Sequence, residues 1–242
     1  MKIIKEDLSE ILRDIPWLPI DIDIDIVKLQ QEYKFVCENY RFEEYNEPHE
    51  PVREKYAKAW SGISLISPDG SLYNDLRRGV GISNKSDYLP TELKNYCEYF
   101  YELIDLFFAR NSRCRMMRIS PQSSLVFHSH VLDNNQTGNR SQPETNLTIQ
   151  IPIEMPENFE YCVVNEKDFT KDKTFALPSS FENIHRGKLD VGKSYYLNSY
   201  QYHNVYNYSD TYRASIMLYC DLRDENVKQL IKKSLVKEGF LE

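Results

Sequence analysis

The chain has 242 residues, 41% apolar and 13% aromatic, enough for a packed core and against global disorder. Its 30 basic and 37 acidic side chains leave a net charge of −7, which repels a phosphate backbone; the densest basic stretch (Arg110, Arg113, Arg115, Arg118) is short and interrupted by apolar residues, so nucleic acid is not an expected partner. Five widely spaced cysteines without a CxxC pair argue against a disulfide framework or a zinc ribbon. No apolar run of about 18 residues offers a membrane span, and the first residues lack the apolar core of a secretory signal, so the expected compartment is the cytoplasm.

In chain order, EDLSEILRDI predicts a short helix. DIDIDIV alternates acid and isoleucine with period two, a strand pattern whose aspartates line a solvated face. VKLQQEYKFVCENY predicts a second helix. The polar EYNEPHEPVREKYAKAW, with two prolines, reads as an exposed excursion. SGISLIS reads as a strand closed by the turn PDGS. The strongest amphipathic helix is predicted over 91–109, where Leu93, Tyr96, Cys97, Phe100, Leu103, Ile104 and Phe107 recur at three- and four-residue steps behind Pro90 and Thr91.

After Cys114 the texture changes. CRMMRIS, SLVFHSHV, TNLTIQIPI, FEYCVVN, KSYYLNS and YRASIMLYCDL are short, β-branched and aromatic, and divided by Pro, Gly, Asn and Asp. That is the pattern of an all-β sandwich or barrel. RDENVKQLIKKSLVK predicts a closing helix over 223–237. No flexible linker divides the chain, so one domain over 1–242 is expected: support over 1–112, a β core over 113–222 and the helical tail over 223–242. The cysteines are expected to be buried. His49 and His185 fall in polar loops and are expected to be exposed and inert. The polar segment 131–144 is either a lid or binding loop or a plain surface insertion.

Chemistry concentrates in FHSH. His128 and His130 are two residues apart, so on a strand both rings emerge on one face. The pair is either half of a metal site or two polar residues facing water. His203, far along the chain, could join them from a facing strand of a jelly roll. Two histidines and a carboxylate on one face commonly hold non-haem iron(II). Arg213 lies one hairpin beyond His203, with Ser215 two residues on. A guanidinium there suits a cosubstrate with a carboxylate tail.

The stretch GKSYYLNSYQYHNVYNYSDTYRASIMLYCDL resembles the C-terminal half of the aspartyl/asparaginyl β-hydroxylase-like family. Gly192, Asn198, His203, Val205, Asn207, Ser209, Asp210, Arg213 and Asp221 follow that family's order. RISPQSSLVFHSH is similar to the family's strand carrying the proximal iron ligand, which places that ligand at His128. TIQIPI is similar to the next strand. PWLPIDIDIDIVKLQQEY and WSGISLISPDGS resemble the N-terminal parts of bacterial members, including amino-acid hydroxylases.

The resemblance implies a mainly β fold with flanking helices around a double-stranded β-helix (jelly roll, cupin-like) core, and an Fe(II)- and 2-oxoglutarate-dependent oxygenase. Such an enzyme uses O2 to hydroxylate an amino acid or an amino-acid-derived small molecule, releasing succinate and CO2. It implies iron on His128 and His203, 2-oxoglutarate on Arg213 and Ser215 with Gln150 and Asn198 nearby, and substrate near Trp60. Asn198 and Asn207 also read as structural residues, and Trp60 as core.

The chain departs from the family pattern in several places. His130 stands where relatives with a full facial triad carry an acid, and is either a third ligand or a neighbour of the ligands. Thr148 and Gln150 stand where relatives have an Arg and a His. Asp133 or Arg140 could return from the 131–144 loop as an acidic ligand or a second carboxylate clamp, Arg140 also as a substrate contact. Three alternatives stay open: a three-His cupin dioxygenase without 2-oxoglutarate, a peptide or protein side-chain hydroxylase, and a non-catalytic jelly-roll module.

Overall fold

The structure, a computed structural model, describes residues 7–44, 59–73, 88–109, 112–125, 127–128, 146–164, 175–176 and 183–242. His49, His130, Asp133, Arg140 and the 131–144 segment lie outside the described residues. Helix α1 (Leu8–Asp14) starts where the Asp7 carboxylate accepts from the Ser9 amide, and strand β1 (Trp17–Ile20) follows it. Helix α2 (Ile26–Asn39) buries Leu29, Tyr33 and Val36.

The strand expected over DIDIDIV does not form. Two competing interactions take its polar groups. The Asp25 carboxylate accepts from the amides of Val27 and Lys28, which makes it a helix cap. The Asp21 amide donates to Ser234 Oγ at 3.0 Å, and its carboxylate pairs with Lys233 and Lys237. Both lysines and Ser234 lie on helix α4 (Glu225–Lys237), the predicted closing helix. The isoleucines of the motif still pack on the core.

Strand β2 (Trp60–Ser67) is as expected. The helix expected over 91–109 breaks into a 3-10 turn, Glu92–Asn95, and helix α3 (Glu98–Leu106). The Glu32 carboxylate, arriving from α2, accepts from the amides of Tyr99 and Phe100 at 2.7 and 2.8 Å and so starts α3 afresh. No local pattern announces a cap supplied 67 residues away.

The remaining strands are β3 (Cys114–Ile119), β4 (Phe127–His128), β5 (Asn146–Glu154), β6 (Phe159–Val164), β7 (Ile184–Gly187), β8 (Ser194–Leu197), β9 (His203–Asn207) and β10 (Arg213–Asp221). They form two sheets. An eight-stranded sheet runs β1-β8-β5-β10-β3-β2, extended by the short pairs at Glu43–Glu44 and Leu89–Pro90. A six-stranded sheet runs Phe175–Ala176, β4, β9, β6, β7, with Ser123–Ser124 also on β9. The core is the double-stranded β-helix that was expected. The strand expected over SLVFHSHV is split: Ser123–Ser124 and β4 pair separately with β9. His185 is on a strand, not in a loop, and is exposed as expected. Cys37 is exposed, against expectation, while Cys97, Cys114, Cys162 and Cys220 are buried. Among the described residues no helix is long and apolar enough to cross a membrane.

Alternation along the larger sheet separates two environments. Ile63, Leu65, Met116, Ile149, Ile151, Ile153, Ile216 and Leu218 face the helices and make the main core. The other face turns toward the second sheet, where Ile119, Phe159, Tyr161, Val163, Tyr195, Leu197 and Val205 form a smaller cluster. At one edge of this sandwich Gly187 lies against Trp17, so closely that a Cβ would sit 2.6 Å from Cζ2 of the indole.

The β9–β10 hairpin is pinned by Asn207. Its amide donates to the carbonyls of Ile119, Ser120 and Thr211 at 3.2, 3.0 and 2.8 Å, and its Oδ1 accepts from the Ser209 amide and hydroxyl. This fixes Arg213 opposite Ile119. Asn207→Ala should destabilise the protein by about 3 kcal/mol in urea unfolding, because buried carbonyls lose their donors.

Candidate functional site

His203 on β9 pairs directly with His128 on β4, and their ring centroids are 4.3 Å apart. Both belong to the inner face of the smaller sheet, since Val205 and Tyr161, on the same side of β9 and β6, lie in the inter-sheet cluster. The Gln201 carbonyl, which can only accept, lies 3.0 Å from His203 Nδ1, so Nδ1 carries the proton and Nε2 the lone pair. Burial, then the neighbouring His128, holds the His203 pKa well below the usual imidazole value. Its ring is therefore neutral at pH 7, the form that binds metals. Among the described residues no group of three His, Cys, Asp and Glu side chains gathers.

Deeper between the sheets is Arg213, the first residue of β10 and 2% exposed. Its Nη2 donates to Gln150 Oε1, and its guanidinium stands 5.3 Å from the Phe159 ring centre. Its Nε has no partner. Burial pulls its pKa down to about 10, which leaves it cationic at neutral pH. Two further buried polar atoms lack partners there: Ser215 Oγ on β10 and Tyr161 Oη on β6. Burial raises the Tyr161 pKa, opposed by the positive charge of Arg213, so the phenol keeps its proton. The Tyr161 ring centre is 6.2 Å from that of His203, which links the guanidinium to the imidazole pair.

Five expected site residues are thus brought to one interior: His128, His203, Arg213, Ser215 and Gln150. Asn198, expected near the cosubstrate, is instead a latch. Its amide donates to the carbonyls of Leu12, Arg13 and Ile15 and ties the end of α1 to β8. Thr148 Oγ1 is held by Ser199 Oγ at 2.7 Å. Trp60 packs against the inter-sheet cluster.

Three interior polar residues were not singled out as site residues: Tyr161, Ser64 and Arg115. Arg115 is 3% exposed, and its Nε and Nη1 have no hydrogen-bond partner. A signal existed for it. In CRMMRI, a period of two puts Arg115 on the same face as Met117 and Ile119. Among the described residues no Asp or Glu is buried as a whole residue, and neither interior arginine forms an ion pair. An uncompensated buried charge costs several kcal/mol. An interior built this way favours anions.

No protein-family model matches the chain, and no curated protein matches it in sequence. Solved structures do share its fold. The non-heme alpha-ketoglutarate-dependent epimerase SnoN of nogalamycin biosynthesis aligns at 10% identity and a TM-score of 0.52, over 88% of this chain and 82% of that one. The non-heme alpha-ketoglutarate-dependent carbocyclase SnoK, from the same biosynthesis, aligns at 12% identity and a TM-score of 0.50, over 90% and 85%. HygX from Streptomyces hygroscopicus, solved with nickel and 2-oxoglutarate bound, aligns at 12% identity and a TM-score of 0.48, over 89% and 86%.

Because the Tyr161 hydroxyl is buried without a partner, removing it should not destabilise the unliganded protein. Tyr161→Phe is expected to leave the urea midpoint unchanged or to raise stability by about 1 kcal/mol. A clear loss of stability would mean that the hydroxyl is hydrogen-bonded in solution.

Proposed function

We propose that this chain is a non-haem Fe(II)- and 2-oxoglutarate-dependent oxygenase that acts on an amino acid or an amino-acid-derived small molecule. One observation carries the reading. A pair of facing histidines shares its interior with a cationic arginine, and three buried polar atoms beside that arginine or on it have no protein partner. His128 and His203 would hold iron, as neutral imidazoles suited to it. Arg213 Nε, Ser215 Oγ and Tyr161 Oη are donors without acceptors, and a carboxylate supplies acceptors. 2-Oxoglutarate has such a carboxylate at the end remote from its metal-chelating oxo-acid. The donor set therefore fits the cosubstrate. The shared fold of SnoN and SnoK, both described as alpha-ketoglutarate-dependent, supports the same reading.

Iron held by these histidines with 2-oxoglutarate would supply the oxidation by O2 of an unactivated C–H bond to C–OH, coupled to conversion of the cosubstrate to succinate and CO2. The protein's part is positioning and exclusion of water. The Gln201 carbonyl holds the His203 ring so that Nε2 faces outward from its strand anchor. Gln150 orients the Arg213 guanidinium from the neighbouring strand. Phe159, Tyr161 and Val205 keep that end of the interior apolar, which strengthens the charge pairing. His130 or Asp133 would complete the iron site, with Arg140 at the substrate. The likeness to aspartyl/asparaginyl β-hydroxylases makes hydroxylation the expected outcome.

Anaerobic Fe(II) with 2-oxoglutarate should give a weak visible charge-transfer band, and air should then convert 2-oxoglutarate to succinate. His203→Ala should abolish both. Arg213→Met should keep iron binding and weaken 2-oxoglutarate by about 100-fold. Oxygen consumption without succinate would instead favour a three-His dioxygenase. Neither band nor oxygen consumption from folded protein would favour a non-catalytic module.

A further inference from the structure

The interior holds two buried guanidiniums, and the proposed cosubstrate occupies one. They engage different neighbours. Arg213 on β10 points toward Gln150 of β5 and the Phe159 ring of β6. Arg115 on β3 has its guanidinium 5.4 Å from the Trp60 ring centre on β2, the strand that flanks β3 on the side opposite β10. Their backbones are offset as well: Arg213 stands opposite Ile119, four residues from Arg115 along β3. Trp60 is the other cross-strand neighbour of Ile119, so Arg115 extends along the strand toward that level on the β2 side.

Arg115 has a polar companion. Ser64 of β2 is its direct cross-strand partner, and Ser64 Oγ is fully buried with no hydrogen-bond partner. Directly across on the other side, Met217 of β10 is apolar. Orphaned donors thus gather on the β2–β3 side of the interior: Arg115 Nε, Arg115 Nη1 and the Ser64 hydroxyl. Among the described residues Arg115 forms no ion pair; the carboxylate across β2 is that of Glu43, opposite Gly62 and only partly buried.

We propose that Arg115, with Ser64 as its cross-strand partner and Trp60 5.4 Å from its guanidinium, is a second anion site that receives the carboxylate of the substrate. This rests on the oxygenase reading for the word substrate; the anion site itself does not need iron. One guanidinium and one hydroxyl match the single charge of a carboxylate better than a phosphate, which carries more charge at neutral pH. The indole cannot accept the guanidinium's N–H groups in its plane, so these remain as recognition donors, which suits a planar carboxylate. Trp60 is then a positioning residue for Arg115, and the chemical class selected is a free carboxylic acid such as an amino acid.

The test is anaerobic calorimetry of the Fe(II)- and 2-oxoglutarate-loaded protein against the proteinogenic L-amino acids. Each amino acid that binds is compared with its primary carboxamide. At least one acid should bind, and its carboxamide should bind at least about ten-fold more weakly. Arg115→Met should lose that preference and bind acid and amide alike. Arg115→Lys should retain part of it. 2-Oxoglutarate affinity in Arg115→Met should stay within about two-fold of wild type, because its clamp is Arg213.

Three results overturn the proposal: no amino acid binds, the acid preference survives in Arg115→Met, or Arg115→Met loses 2-oxoglutarate affinity instead. The acid-against-amide contrast in the unaltered protein stands even if a variant fails to fold. Repeating it without iron and 2-oxoglutarate separates the two readings. A missing charge-transfer band with the contrast intact removes the oxygenase reading and keeps the anion site.

Discussion

Charge buried without countercharge is the constraint on which this interior depends. Arg115 and Arg213 sit between two sheets with no buried Asp or Glu among the described residues to answer them. Folding bears that cost because the rest of the larger sheet is strongly stabilised on its other face. There Ile63, Met116, Ile149, Ile151, Ile216 and Leu218 pack onto four helices' worth of Leu, Ile and Phe. The two faces of one sheet thus divide the labour. One face holds the molecule together, and the other is free to carry groups that destabilise it until a ligand arrives.

Strand pairing turns that permission into a site. His128 and His203 are distant in sequence, yet they meet because β4 and β9 pair at that one position. Arg213 arrives on the next strand because Asn207 ties the intervening hairpin to the end of β3. Tyr161 stands between the imidazoles and the guanidinium from a third strand. Each of these residues is positioned by backbone hydrogen bonds of a sheet rather than by a loop, which limits how far it can drift.

Several N-terminal features serve the same end indirectly. Asn198 uses its amide to hold the end of α1, which seats β1 on the edge of the larger sheet. Trp17 of β1 then meets Gly187 of the smaller sheet and Tyr161 within the interior. The latch and the seam close one side of the sandwich over the residues that matter. They give Asn198 a structural role that needs no contact with a ligand.

Local pattern was enough for most strands and for α1, α2 and α4, since period-two and period-3.6 burial write themselves into the order of residues. The histidine–arginine spacing and the family likeness pointed to five residues that the fold does gather. What local pattern could not carry was decided by partners far away in the chain. Glu32 breaks the 91–109 helix from another helix, and α4 takes the polar groups of Asp21 that a strand would have used. Period two grouped Arg115 with Met117 and Ile119, but only the sheet made that face interior and set Ser64 across from Arg115. A sequence states which faces alternate; which face is interior depends on what packs against each, and that is a property of the tertiary structure.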